Sequence, residues 1–475
     1  MLVIISDLHL TDGTSGEIID EKAFRIFRNR LSDMAYDASW RRGENQADPN
    51  KGYYQPIERL DILLLGDILD VLRSEKWNGM DEINMPWTKN RGDAFFRKLE
   101  EITQGIIENN KKSFAILKGI VTAGIQIPAA MHILSEEEKI EKKLGSEAST
   151  EKVAVKVNIY YMVGNHDWVL YIDDPRMYAT RGLVIDALGL AHEKNQPFPY
   201  HPFENEELFR VLQDHRVYAI HGDIFDRTNC PPAGRDGSSI GDAIVIKLLD
   251  EIPKKIMDSI DQFIQQYPGS RIGTVEGIQQ FVKELHELDN LRPYTLAPAW
   301  ISQIITKYEL SVQFINDAIR AALTALIRDF TINPLVSKQL STVISMNLAG
   351  FLFSSRFSIE TLARVIQFFS LNKDNFESYR KYARTLTAAK AGKDKEFFVM
   401  GHTHYPEVVP MSSFLEKGQQ HSKIYINTGT WRTLHRQGIY DHSFISWKAM
   451  TIAGFFKPDE RMGHSFEYWT GSLDL

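Results

Sequence analysis

The sequence predicts an α/β fold with a helical subdomain inserted into it, and three observations carry that expectation. Five short apolar runs each stop at a cluster of Gly, Asp, Asn or His. These are Leu2–Ser6 before Asp7, Asp61–Leu65 before Gly66-Asp67, Val157–Val163 before Gly164-Asn165-His166-Asp167, Val217–Ile220 before His221-Gly222-Asp223, and Phe397–Met400 before Gly401-His402-Thr403-His404. Stretches with three- and four-residue apolar spacing lie between the early runs. The interval from Gly241 to Lys395 shows helical spacing throughout and no further run of the first kind.

Continuous Val/Ile/Leu/Phe runs of this length read as strands buried on both faces. Polar residues directly after them lie at the carboxyl ends of the strands, where open α/β sheets place their ligands. Glu21–Ala35 and Asp93–Glu108 read as helices. Ile424–Asn427, Ser443–Trp447 and Phe466–Trp469 read as closing strands, and the charged stretch Glu136–Lys152 as a solvated helix end and loop. The apolar segment Ser113–Leu134 is interrupted by Lys118, Gln126, Pro128 and His132, so it reads as a buried helix and turn, not a membrane span. Within the long interval, Ile244–Gln266 and Ile315–Phe330 have helical periodicity, punctuated by Pro253, Pro268-Gly269, Pro293, Pro298 and Pro334. The expected organisation is an α/β core in two parts, residues 1–241 and 396–475, around a helical cap at residues 242–395.

The chain has 475 residues, 43% of them hydrophobic, which is enough for a large core and more than one unit. Its net charge of −7 argues against a dedicated nucleic-acid surface, which needs a Lys/Arg excess to neutralise phosphates. The single cysteine, Cys230, excludes an intrachain disulfide and suits a reducing compartment. The opening MLVIISDLHL reads as a strand, too short and without the basic start of a signal peptide. A soluble, cytoplasmic protein is the expectation.

The residue types at the strand ends point to metal chemistry. Two divalent ions about 3.5–4 Å apart can acidify a water, neutralise phosphoryl oxygens and steady a leaving oxygen. Such a centre needs carboxylates and imidazoles, with one ligand shared. Asp7 and His9 are two apart at the first strand end, Asp67 could bridge, Asn165 offers an amide oxygen, and His221, His402 and His404 complete the set. Singly, each has an ordinary structural explanation: a surface coincidence for Asp-x-His, a turn for Gly-Asp, a core residue for His221. Their occurrence in order at five strand ends has none.

The blocks Asp7-Leu8-His9, Gly66-Asp67, Gly164-Asn165-His166-Asp167, His221 and Gly401-His402-Thr403-His404 together resemble the calcineurin-like metallophosphoesterase superfamily, over residues 1–241 and 396–475. The resemblance implies a four-layer α/β/β/α core. It implies one metal on Asp7, His9, Asp67 and His404, and a second on Asp67, Asn165, His221 and His402. It further implies that His166 contacts the phosphate or protonates the leaving group, with Asp167 orienting it. The sequences DLHL, GDILD and HGD-x-x-D, with a helical insert before GHTH, look like the UDP-2,3-diacylglucosamine pyrophosphatase branch, which typically carries Arg at the position of His166 and is shorter. The expected activity is therefore hydrolysis of a phosphodiester or pyrophosphate bond by metal-activated water, on a phosphorylated small-molecule or lipid-linked substrate. The alternatives are a nuclease, a phosphoprotein phosphatase and a non-catalytic scaffold. The donor set suits Mn first, with Fe and Zn also compatible.

Further residues stand beside this set. Asp70 and Asp223 read as partners of the ligands or as turn caps. Arg227, Arg235 and Arg432 could hold a second phosphate or belong to solvated loops. Trp168 and Trp431 read as core aromatics, and His132, His192 and His201 as structural.

Overall fold

A computed structural model describes residues 1–16, 19–42, 52–133, 146–226, 228–231, 234–267, 272–291, 296–331, 376–389, 392–416 and 418–473. The strands in chain order are β1 (Leu2–Ile5), β2 (Trp40–Arg42), β3 (Gly52–Tyr54), β4 (Arg59–Leu65), β5 (Ile125–Pro128), β6 (Met131–Ile133), β7 (Ser146–Ala148) and β8 (Lys152–Met162). They continue with β9 (Val217–Ala219), β10 (Phe397–Met400), β11 (Pro406–Glu416), β12 (Gln419–Thr428), β13 (Thr433–Gln437), β14 (Phe444–Phe455) and β15 (Phe466–Ser472).

The protein is a mixed α/β fold. Its larger sheet runs β13-β14-β1-β4-β8-β5, with β15 also on β14. Here β1, β4 and β8 are mutually parallel, while β14 and β5 pair antiparallel to their neighbours. A second sheet runs β11-β12-β10-β9, in which β12, β10 and β9 are parallel. The five strands expected from the apolar runs are β1, β4, β8, β9 and β10, and every one sits inside a parallel ladder.

The period-two side-chain direction explains why these runs are apolar at every position. Val3, Ile5, Ile62 and Leu64 enter one core with helices α1 (Glu21–Ala38), α2 (Asp93–Asn109), α3 (Lys111–Ala123) and α4 (Tyr178–Leu188). Their alternates Leu2, Ile4, Leu63 and Leu65 enter another, shared with Val217 and Ala219 of β9, Phe397 and Val399 of β10, and helix α5 (Glu206–Asp214). Helix α1 is capped by the Asp20 side chain, which accepts from the Lys22 amide, and it buries Phe24 and Phe27 against Trp431 at ring distances of 5.5 and 5.4 Å.

Among the described residues of 242–395, all extended regular structure is helical. A π-helical turn at Val245–Leu249 leads into α6 (Glu251–Gln266), followed by α7 (Val275–Leu285), α8 (Ala297–Lys307) and α9 (Val312–Thr331). Their apolar faces form one cluster, including Ile256, Phe281, Trp300 and Ile319. Helix α10 (Phe376–Ala388) lies apart from it, with Tyr379 and Ala383 packed on Met400 and Tyr425 of the second sheet.

Three local expectations change. Ser146–Ala148 is a strand paired with Met131–Ile133, not a solvated loop, and the rest of 134–145 lies outside the described residues. Strand β8 begins at Lys152, because the alternation in KVAVK suits a half-exposed antiparallel partner, β5. The segment Ser113–Leu134 is a helix only to Ala123; Gly124, at φ +68, turns the chain into β5 and β6. No described helix is long and apolar enough to cross a membrane.

Leu63 is fully buried between the two sheets. Leu63→Ala should lower the unfolding free energy in urea by about 2–5 kcal/mol, the usual cost of deleting a core leucine. A loss below about 1 kcal/mol would mean that the two sheets do not pack on each other there.

Candidate metal centre

The loops after β1, β4, β8, β9 and β10 converge where the carboxyl ends of the two sheets meet. Hydrogen bonds across that seam fix their positions. The His221 ring Nδ1 donates to the Leu65 carbonyl (3.0 Å), and the His402 amide donates to both oxygens of Asp7 (3.1 Å each). The Trp431 amide and Thr430 hydroxyl donate to the Asp7 carbonyl at 3.3 and 2.8 Å.

The loops are bent in ways ordinary residues avoid. Asp7, His9, Asp67, His402 and His404 all have left-handed backbone, with φ between 47° and 68°. Non-glycine residues adopt that region uncommonly and at a cost, and such residues cluster at functional sites. The neighbouring glycines make room: a Cβ at Gly66 would overlap the His221 ring, one at Gly164 the Asp67 carboxylate, and one at Gly401 the Asp7 carboxylate.

Six of the seven expected ligands, Asp7, His9, Asp67, His221, His402 and His404, come together, and all seven, Asn165 included, are buried. His9 Nε2 lies 2.9 Å from His404 Nε2, and Asp7 Oδ1 lies 3.4 Å from His404 and 3.9 Å from His9. Asp67 Oδ2 stands between the two halves, 3.8 Å from His9 Nε2 and 3.2 Å from His221 Nε2. Three groups among the described residues could each hold an ion: Asp7, His9 and His404; His9, Asp67 and His166; and Asp67, His221 and His402. Donors each about 2.0–2.2 Å from one ion sit roughly 3–4 Å apart, so these separations fit shared cations.

Orphaned donor atoms support the same fit. Asn165 Oδ1 is buried with no hydrogen-bond partner among the described residues, and Asp67 Oδ2 and His221 Nε2 are buried with nothing nearer than each other at 3.2 Å. Leaving such atoms unsatisfied is costly, and a cation would satisfy all three. The remaining atoms of these groups are committed: Asp67 Oδ1 accepts from the His166 amide at 2.7 Å. Burial raises the Asp7 carboxyl to about 7 and pushes the His9 imidazole down to about 4, which keeps the His9 ring a neutral donor. Burial alone would lower His221, but the Asp67, Asp7 and Asp223 carboxylates outweigh it and raise the ring to about 10.

The partners of the ligands differ from expectation at one point. Asp167 does not orient His166. Its oxygens accept from the Gly164 amide (2.6 Å), the Ile68 amide (2.8 Å) and the Tyr161 hydroxyl (2.6 Å), so it ties the β8 loop to the β4 loop. The orienting carboxylate is Asp70: its Oδ1 accepts from His166 Nδ1 (2.6 Å) and its Oδ2 from His9 Nδ1 (2.8 Å). A carboxylate can only accept, so Nδ1 of both rings carries the proton and Nε2 faces inward. Burial would raise Asp70, but the two imidazoles outweigh it and hold the carboxyl well below the usual range.

Asp226 also escaped notice in the sequence, although the HGD-x-x-D spacing contains it. Its Oδ2 lies 3.3 Å from His402 Nε2, so Nδ1 is the nitrogen that ring could offer to an ion. Asp226 stands three residues after Asp223, just as Asp70, expected as a partner or a turn cap, stands three after Asp67, and that spacing could have flagged Asp226 as well. Asp223 pairs with the buried guanidinium of Arg235. Arg432 is buried beside the 430–431 turn, and Arg227 lies outside the described residues. Trp168 and Trp431 are core residues whose ring N–H groups donate to Asp242 and the Thr451 carbonyl. His192 accepts from the Tyr161 amide, a structural role.

No protein-family model matches the chain, and a search of curated proteins gives no match.

Asp67→Asn removes the charge that faces both halves. Its metal content, measured by plasma mass spectrometry after reconstitution with Mn, should fall at both sites together. Two equivalents bound at wild-type affinity would show that Asp67 is not shared.

Proposed function

We propose that the protein is a binuclear metal-dependent hydrolase of a phosphodiester or pyrophosphate bond, of the calcineurin-like metallophosphoesterase kind. The observation that carries this reading is the convergence of buried donor atoms of Asp7, His9, Asp67, His221, His402 and His404, with Asn165 Oδ1 buried and unbonded at the end of β8. The four-layer arrangement belongs to the same proposal. Its support is the division of alternate β1 and β4 side chains between a helix-covered core and a core shared with the second sheet, whose far face takes α10.

On this reading Asp7, His9, Asp67 and His404 would hold one ion, and Asp67, Asn165, His221 and His402 the other. Bound there, the pair would supply charge to the phosphoryl oxygens and acidify a water. The protein's own contribution is geometric and protic. The Asp70 carboxylate fixes the His9 and His166 rings at once, and with Nδ1 of His166 held by Asp70, Nε2 is the atom from which a proton passes to the leaving oxygen. The loops stand on parallel strands buried on both faces, a rigid base for groups that must hold position.

The decisive assay compares bis-p-nitrophenyl phosphate, p-nitrophenyl phosphate, UDP-sugars and single-stranded DNA with added Mn. Metal-dependent turnover of a diester or pyrophosphate, abolished by a chelator, is expected. Absence of turnover on every ester with two metals bound would overturn the reading.

His166→Ala should leave both metals bound and lower kcat by roughly two to four powers of ten, the usual size of a general-acid contribution. The loss should grow as the leaving group becomes more basic. An equal loss across a leaving-group series would make His166 a phosphate-binding group instead.

A further inference from the structure

The insert reaches the metal centre through a buried chain of polar contacts. Asp250 sits at the end of the π-helical turn, where its amide bonds back to the Val245 carbonyl (3.0 Å). The extra residue in that turn changes the phase of the helix, and such turns recur at functional sites. Asp250 Oδ1 accepts from the Arg73 guanidinium (Nε, 2.9 Å) and from the Ser15 hydroxyl (2.9 Å). Arg73 Nε also lies 3.1 Å from Ser15 Oγ, and its Nη2 lies 3.4 Å from the His286 carbonyl, also in the insert. Arg73 and Asp250 are both buried.

The other end of Arg73 lies at the metal centre. Its backbone amide donates to Asp70 Oδ1 (3.3 Å), the oxygen that accepts from His166 Nδ1. Ser15 stands on the loop that continues from His9. The same two core segments that carry His9 and Asp70 are thus pinned to one another through a carboxylate supplied by the insert.

We propose that Arg73 is a positioning residue, held by Asp250 of the helical insert, that fixes the Asp70 carboxylate and with it the His9 and His166 rings. The insert is then part of the catalytic geometry as well as a cover beside it. The chemical consequence rests on the hydrolase reading above. The positioning itself does not.

The physical basis is the cost of removing one partner from a buried ion pair. Without Asp250 the Arg73 charge must move toward water, and the turn from Asp70 to Arg73 relaxes with it. Partners that orient metal-bound imidazoles commonly matter by 10–100-fold in affinity or rate.

Two measurements test this. In the first, nitrogen–proton NMR of the histidine rings follows the Nδ1–H signals of His9 and His166, identified by their loss in His9→Gln and His166→Ala. Asp250→Asn and Arg73→Met should shift or broaden both signals, and Arg73→Lys should restore them in part. In the second, the same variants are assayed on a leaving-group series. The expected result is a 10–100-fold fall in kcat for basic leaving groups, a smaller fall for p-nitrophenolate and little change in KM. Signals and leaving-group dependence identical to wild type in folded Asp250→Asn and Arg73→Met would overturn the proposal. A uniform loss across the series with unshifted ring signals would also overturn it, since that is what mere destabilisation produces. If the wild type hydrolyses no ester, the hydrolase reading fails while the ring signals still decide the positioning.

Discussion

The structure depends on keeping several carboxylates buried at one seam. Asp7, Asp67, Asp70 and Asp167 are all within 1% of full burial, and a buried carboxylate is tolerated only where hydrogen bonds or positive charge offset its desolvation. Each meets this requirement differently. Asp7 takes the His402 amide, Asp70 takes two imidazole N–H groups, and Asp167 takes two amides and a phenol. Asp67 alone keeps one oxygen without a hydrogen bond among the described residues. These bonds run between loops on different strands and sheets, so the loops are positioned by the carboxylates they bury. The left-handed backbone at five of the seven expected ligands and the clash-relieving glycines follow from that demand for close approach.

Division of labour between the two sheets follows from the same seam. The larger sheet brings Asp7, His9, Asp67 and Asn165, and the second sheet brings His221, His402 and His404, on loops after β9 and β10. Neither sheet alone assembles the centre. His221 donates to a carbonyl of β4, and His402 is held by a carboxylate that follows β1. The apolar contact between the sheets, Leu63 and Leu65 against Ala219 and Val399 among others, therefore sets the distance between the two halves of the ligand set.

The strands that carry ligands were legible because burial on both faces leaves an unbroken apolar run, and because a Gly, Asp or His immediately after it is conspicuous. The buried His and Asp clusters at the strand ends were legible by residue type and order. What the sequence concealed was pairing at a distance. Nothing local distinguishes Asp70 from Asp167 as the partner of His166: Asp167 is adjacent in the chain, but its loop turns the carboxylate back toward Gly164 and Tyr161. Strand β11 escaped because a hairpin strand with exposed residues lacks the two-sided apolar signature, as Leu415 shows by being exposed in its own strand, and β13 because four of its five residues, Thr433, His435, Arg436 and Gln437, are polar. Strand β7 escaped because its neighbourhood is dominated by charge.

The insert shows how composition can suggest an appendage where contacts say otherwise. By periodicity, residues 242–395 read as a self-contained helical unit, and the described helices from Glu251 to Thr331 share one apolar cluster around Ile256, Phe281, Trp300 and Ile319. Yet polar residues near its start leave that cluster and enter the core of the larger unit. Asp242 accepts from the Trp168 ring N–H at 2.8 Å, directly beyond the His166-Asp167 pair, and Asp250 holds Arg73 beside Asp70. At its other end, the Tyr379 ring of α10 lies 6.0 Å from that of His402. Asp242 and Asp250 are partners of buried core groups, so separating the insert would leave the Trp168 ring N–H and the Arg73 guanidinium without them. An insert that shed its core contacts would therefore have to break these polar contacts as well as expose apolar area. That makes wholesale lifting of the insert an expensive way to admit substrate, and favours access through smaller local movements of the loops between these anchors.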